Sequence, residues 1–152
     1  MTWFEFWLFL HISGAIVWIG GAAMVQVFGI LTKRAADPAK TAFFAQSVSW
    51  AVMYVFLPAA VVVFVAGFGV TDQSFWDVGD AFVIYGLVAG GAVAIVAFGY
   101  LGRAIGAAGR ELAANGPSPA LGVRMRNLVW LSRVLLLVLA TIVFEMVAKL
   151  GT

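Results

Sequence analysis

Four apolar runs, each longer than the roughly 18 residues that mark a membrane-spanning helix, constrain this chain more than any motif. They cover about Trp3–Leu31, Phe43–Gly69, Ala81–Gly102 and Leu128–Leu150. Of 152 residues, 64% are hydrophobic and 11% charged, against about a quarter charged in soluble domains. Little chain is left between the runs. Residues 1–152 therefore read as a single transmembrane domain, an all-α integral membrane four-helix bundle.

The same composition excludes several functions. With no cysteine there is no disulfide, thiolate metal site or thiol nucleophile. A formal charge of +2 with clustered basic residues does not suit a nucleic-acid partner. The first run has no basic segment before it and far exceeds the 7–15 residues of a signal-peptide core, so it reads as a span. No phosphate-binding glycine loop, zinc-protease motif or tandem repeat is present.

Charge placement sets the expected orientation. Lys33, Arg34 and Lys40 lie between runs one and two, and Arg103, Arg110, Arg124 and Arg126 between runs three and four. The link between runs two and three carries Asp72, Asp77 and Asp80 and no basic residue. The positive-inside rule then predicts both termini on the outer side and both basic loops, 32–42 and 103–126, in the cytoplasm. A bacterial inner membrane is the expected location.

Local signals refine the helices. Trp3, Phe4, Phe6 and Trp7 form an aromatic belt. The first run spans about 43 Å, at about 1.5 Å per residue, and must tilt or project. Asp37-Pro38 reads as an N-cap followed by proline in a first turn, and Pro58 should kink the second helix. The outer loop, about Val70–Gly79, is acidic, with Trp76 as anchor. Gly86/Gly90 and Gly102/Gly106 are small-xxx-small spacings that allow close helix approach. The third helix should continue as an amphipathic extension to about Ala114, where Asn115-Gly116-Pro117-Ser118-Pro119 stops it.

Intramembrane polar groups are expensive and few, which makes each a candidate. The chain's one histidine lies in His11-Ile-Ser-Gly14-Ala15-Ile-Val-Trp18-Ile-Gly-Gly21. At 100° per residue His11, Gly14, Trp18 and Gly21 share one helix face, kept low by Gly14, Ala15, Gly21 and Ala22. Such a face admits either a flat ligand or a close helix neighbour. His11, Tyr85 and Glu145 each lie about six residues outward of their helix midpoints, a shared layer at about 9 Å. Arg133 lies about as far inward, near the depth of Gln26, Ser49, Trp50 and Tyr100.

Each candidate also has a structural explanation. His11 can hydrogen-bond a neighbouring helix, Glu145 can pair with Lys149 at i+4, and Arg133 can snorkel inward past Arg126. Met24 and Met53, at comparable depths, are either packing or thioether ligands for Cu(I).

The pattern His11-x-x-Gly14-Ala15-x-x-Trp18-x-Gly20-Gly21 resembles the first-helix motif of a broad bacterial group that includes CopD-type copper-resistance membrane domains and HemJ-type protoporphyrinogen oxidases. The close resemblance covers about eleven residues. HemJ proteins are four-helix proteins of similar size, and their first-helix histidine, implicated in haem binding, corresponds to His11. Their functional basic residue in a later helix has Arg133 as its nearest counterpart. CopD domains usually carry further histidines or methionines, whereas this chain has a single histidine.

Together these features point to a membrane-embedded b-type haem protein with His11 as axial ligand. Gly14, Ala15, Trp18 and Gly21 would line the macrocycle, and Arg133 or Lys149 would hold a propionate. One histidine per chain leaves either a five-coordinate iron or a homodimer sharing one haem. The helix-one small face and the helix-three glycines would permit tight pairing. Electron transfer with quinone or oxidation of a porphyrinogen would be the matching activities. The alternative is a non-catalytic membrane subunit, or a small copper- or proton-linked transporter.

Overall fold

The computed structural model describes residues 1–148 and is helical almost throughout. Four helices are long and apolar enough to cross a membrane: α1 (Trp3–Arg34), α2 (Pro38–Asp72), α3 (Ala81–Asn115) and α4 (Pro119–Ala148). The expected fourth-helix end at Leu150 lies outside the described residues.

Capping chemistry fixes the boundaries. The Thr2 hydroxyl accepts from the Glu5 amide, and the Glu5 carboxylate accepts from the Thr2 amide at 2.8 Å, closing a capping box at the start of α1. The Asp37 carboxylate accepts from Ala39 and Lys40 ahead of Pro38 at N1, as the Asp-Pro pair predicts. Gly116, at φ 74°, ends α3 in a conformation that costs glycine little.

One boundary differs from expectation. Helix α4 starts at Pro119, not near Leu128, because the stop signal of α3 also begins the next helix: the Ser118 hydroxyl accepts from the Leu121 amide. Leu121 and Leu128, two turns apart on one face, are buried with Leu101, Ala104, Ala108 and Leu112. The expected basic loop 103–126 is thus two helical extensions joined by a three-residue turn. Its hydrophobic contacts outweigh the charge of Arg124 and Arg126, which stay exposed.

The bundle has an acidic end, holding Thr2 and the 73–80 link, and a basic end, holding the turns at 35–37 and 116–118. Packing partners change along its length. Toward the acidic end α1 packs on α2 and α3 packs on α4; toward the basic end the tight pair is α2 with α3. That last crossing uses small residues. A Cβ at Gly102 would lie 2.6 Å from Val52 Cγ1, and one at Gly109 would lie 2.9 Å from Ala45 Cβ and 3.0 Å from the Ala42 carbonyl oxygen. Gly106 faces Ser49, Gly86 faces Met146 and Gly90 faces Phe64. The glycines of the two small-xxx-small spacings, Gly86/Gly90 and Gly102/Gly106, thus lie against neighbours within the chain, whereas Gly91 and Gly99 have open space beside them.

Midway along the bundle, three helices widen into i→i+5 turns, at Ile16–Gly20, Val52–Phe56 and Ile95–Leu101. In α2 the cause is Pro58, which has no N–H to donate to Tyr54 and whose ring crowds that carbonyl. The expected proline disruption thus takes the form of a widened turn. Trp18, Val52 and Phe98 come from these three turns and join one buried cluster with Ala59, Ala60, Val93 and Leu139. Near the basic end the Gln26 amide donates to the Ser132 hydroxyl at 3.0 Å, tying α1 to α4. Such intramembrane bonds contribute about 0.6 kcal/mol each.

Candidate functional site around His11

His11 sits half-buried at the seam between α1 and α2. Its Nδ1 lies 2.8 Å from the Val63 carbonyl oxygen. A carbonyl only accepts, so Nδ1 carries the proton in this bond, and in the neutral form of the ring Nε2 is the nitrogen with the lone pair. Among the described residues Nε2 has no hydrogen-bond partner. A backbone-anchored imidazole with its second nitrogen uncommitted is the arrangement of metal-ligating histidines. Gly67, one turn beyond Val63, makes room for the ring: a Cβ there would lie 3.2 Å from both Nδ1 and Cε1.

The rest of the glycine face is filled. A Cβ at Gly14 would lie 2.9 Å from Val63 Cγ2 and 3.0 Å from the Ala59 carbonyl oxygen, and Gly21 lies against the Phe56 ring. Ala15 is half-buried, while Trp18 is 4% exposed, with ring centroids 6.2 Å from Phe64 and 5.8 Å from Phe98. Of the two occupants the sequence allows for this face, flat ligand or helix, the structure has the helix. For an iron porphyrin the site offers one donor atom, Nε2 of His11. It does not offer the cradle expected at Gly14, Ala15, Trp18 and Gly21, where α2 and its aromatic rings already stand.

The other candidates lie apart from His11. Tyr85 Oη is 2.7 Å from Thr141 Oγ1. Because the Thr141 hydroxyl donates to the Val138 carbonyl, the phenol is the donor in that pair. Glu145, half-buried, lies one turn beyond Thr141 on α4. Tyr85 and Glu145 thus belong to the α3–α4 pair and His11 to the α1–α2 pair, and no hydrogen bond or ion pair joins them among the described residues. The Glu145–Lys149 pair and the alternative propionate ligand Lys149 fall outside the described residues.

Arg133 is exposed on α4 toward the basic end, its guanidinium carbon 5.6 Å from the Trp130 ring centroid. It is not brought to His11. Of its expected neighbours, Gln26 bonds Ser132 instead, Ser49 faces Gly106, and Trp50 and Tyr100 are exposed. Met24 is exposed and Met53 half-buried. No group of three or more histidine, aspartate or glutamate side chains converges on a metal position among the described residues.

The class defined here is an all-helical chain with four long apolar helices and one backbone-anchored histidine between two of them. Set against known protein families, curated proteins and solved structures, it matches none. Sequence reasoning missed two partners of the site, the Val63 carbonyl and Gly67. A backbone acceptor leaves no mark in a sequence. The Gly67/Gly69 pair late in α2 was the available signal, since Gly67 receives His11 and Gly69 receives the Trp7 indole.

Proposed function

We propose that this chain is a multi-pass protein of a bacterial cytoplasmic membrane, with its basic end in the cytoplasm, that binds b-type haem through His11 Nε2. The observation that carries the reading is the 2.8 Å bond from Nδ1 to Val63, which leaves Nε2 as a ligand. The resemblance of the first helix to HemJ-type proteins favours iron porphyrin over copper. Since α2 fills the glycine face, the macrocycle's remaining contacts come from a second copy of the chain or another membrane subunit. When bound, haem supplies one-electron chemistry suited to exchange with quinone or to porphyrinogen oxidation. The chain's own part is to anchor the imidazole, fix its tautomer and wall the seam with Trp18, Phe56 and Phe64.

A second reading rests on the close approach of α1 and α2 at Gly14 and Gly67. Here His11 is an interhelical clamp in a non-catalytic membrane subunit. Two variants separate the readings. His11→Ala removes both ring nitrogens, whereas the His11→Asn amide can still donate toward Val63 but offers iron no imidazole. Protein purified from haem-replete membranes should show a Soret band that is absent from both variants, with His11→Asn as stable as the wild type. Colourless wild-type protein, or a band that survives in His11→Asn, overturns the haem reading. Colourless protein destabilised by His11→Ala alone supports the clamp.

A further inference from the structure

Helix α4 presents Arg126, Trp130 and Arg133 at i, i+4 and i+7, an arc of about 60° at 100° per residue. All three are exposed, and Trp130 is 59% exposed. Leu137, 67% exposed, and Phe144, 61% exposed, continue the same stripe toward the acidic end. The stripe therefore begins with two cations flanking an indole and ends in apolar side chains. Arg133 lies five residues beyond Leu128, where the apolar run begins, or about 8 Å along the axis at about 1.5 Å per residue. Its guanidinium reaches back over Trp130, toward Arg126 and the basic end, the direction helical side chains lean. The ion pairs among the described residues are Lys40–Asp37 and Arg124–Glu111, so neither Arg126 nor Arg133 has a carboxylate.

We infer that this stripe is a binding site for one anionic phospholipid of the leaflet at the basic end. Its phosphodiester lies between the guanidinia of Arg126 and Arg133, and an acyl chain runs along Leu137 and Phe144. Three features select that occupant. A permanently charged guanidinium on an exposed face inside an apolar run, with no carboxylate of its own chain among the described residues, is stabilised by an anion supplied from outside. A guanidinium bonds phosphate oxygens in a two-pronged geometry that an ammonium lacks. The apolar continuation of the stripe suits a ligand with both a charged head and a hydrocarbon tail, which free phosphate and an acidic peptide do not provide. The inference is independent of the haem reading, because no residue of the stripe touches the His11 seam.

The test is native mass spectrometry of the full chain released from bilayer discs holding equal amounts of phosphatidylglycerol and phosphatidylcholine. The wild type should retain phosphatidylglycerol in preference. Arg126→Gln and Arg133→Gln should each lower that preference about fivefold, the effect of one basic residue at an anionic surface, and the double variant should abolish it. Arg103→Gln, at an exposed arginine on α3, is the matched control and should retain it. Equal retention of the two lipids by the wild type overturns the site. So does a double variant that behaves as wild type, or an equal loss in Arg103→Gln, which would indicate diffuse surface charge. Circular dichroism confirms that each variant keeps its helices.

Discussion

Replacing Gly109 with leucine will unfasten the α2–α3 pair at the basic end of the bundle. A single added Cβ would stand 2.9 Å from Ala45 Cβ and 3.0 Å from the Ala42 carbonyl oxygen. Neither atom can rotate away, because one is a methyl fixed to the backbone and the other is backbone itself. The helices must separate, and with them the contacts at Gly102 and Gly106 loosen. Overpacking of a tight core costs about 1–3 kcal/mol, occasionally more, and because the two nearest atoms cannot yield, with only the Gln46 side chain at 3.2 Å able to move, Gly109→Leu stands at the top of that range. Gly91, on the same helix, has nothing within 4 Å, so Gly91→Leu should change stability by less than about 0.5 kcal/mol. Unfolding in mixed micelles of increasing sodium dodecyl sulfate measures both. Equal midpoints for the two leucine variants would contradict the packing described.

The second large effect is expected at Gly14, where stability and the candidate site are coupled. Its missing side chain lets α1 approach Ala59 and Val63, and the carbonyl of Val63 is the anchor of His11. Gly14→Ala asks Val63 and the Ala59 carbonyl to give by a few tenths of an ångström, and should cost about 1 kcal/mol. Gly14→Leu cannot be accommodated that way. It should cost roughly 3 kcal/mol and draw the imidazole off Val63. Gly20 on the same helix has open space around it, and Gly20→Leu is the control. Amide exchange along 57–72 will separate the outcomes: faster exchange in Gly14→Leu alone is expected. Unchanged exchange would mean that the glycine does not set the α1–α2 distance.

These two positions show what the sequence made legible and where it stopped. The spans, the Asp37-Pro38 start and the extension of α3 to Asn115 all follow from local rules about hydropathy, capping and glycine. The early start of α4 was also written locally, in Ser118-Pro119, but charge at Arg124 and Arg126 masked it. What no local rule supplies is the partner across a seam. The spacing of His11, Gly14 and Gly21 showed that one face of α1 was low, and was equally compatible with a macrocycle or with a helix. Only Val63, Ala59 and Phe56, about 35–50 residues away, decide that α2 takes the place. Depth arguments had the same limit. Tyr85 and Glu145 were set level with His11, yet they pack in the other helix pair, because depth along an axis carries no information about direction around it.

The His11 tautomer is the foundation of the functional reading, and the chain's single histidine makes it directly measurable. Protein labelled with nitrogen-15 histidine in lipid bilayers gives one pair of ring resonances, recorded free of haem at about pH 8.5, where an ordinary imidazole is neutral. A protonated Nδ1 beside a bare, pyridine-type Nε2 is expected, with the Nε2 resonance alone displaced when a zinc porphyrin is added. A protonated Nε2 with a bare Nδ1 would contradict the bond to Val63 and leave Nε2 with no lone pair to offer.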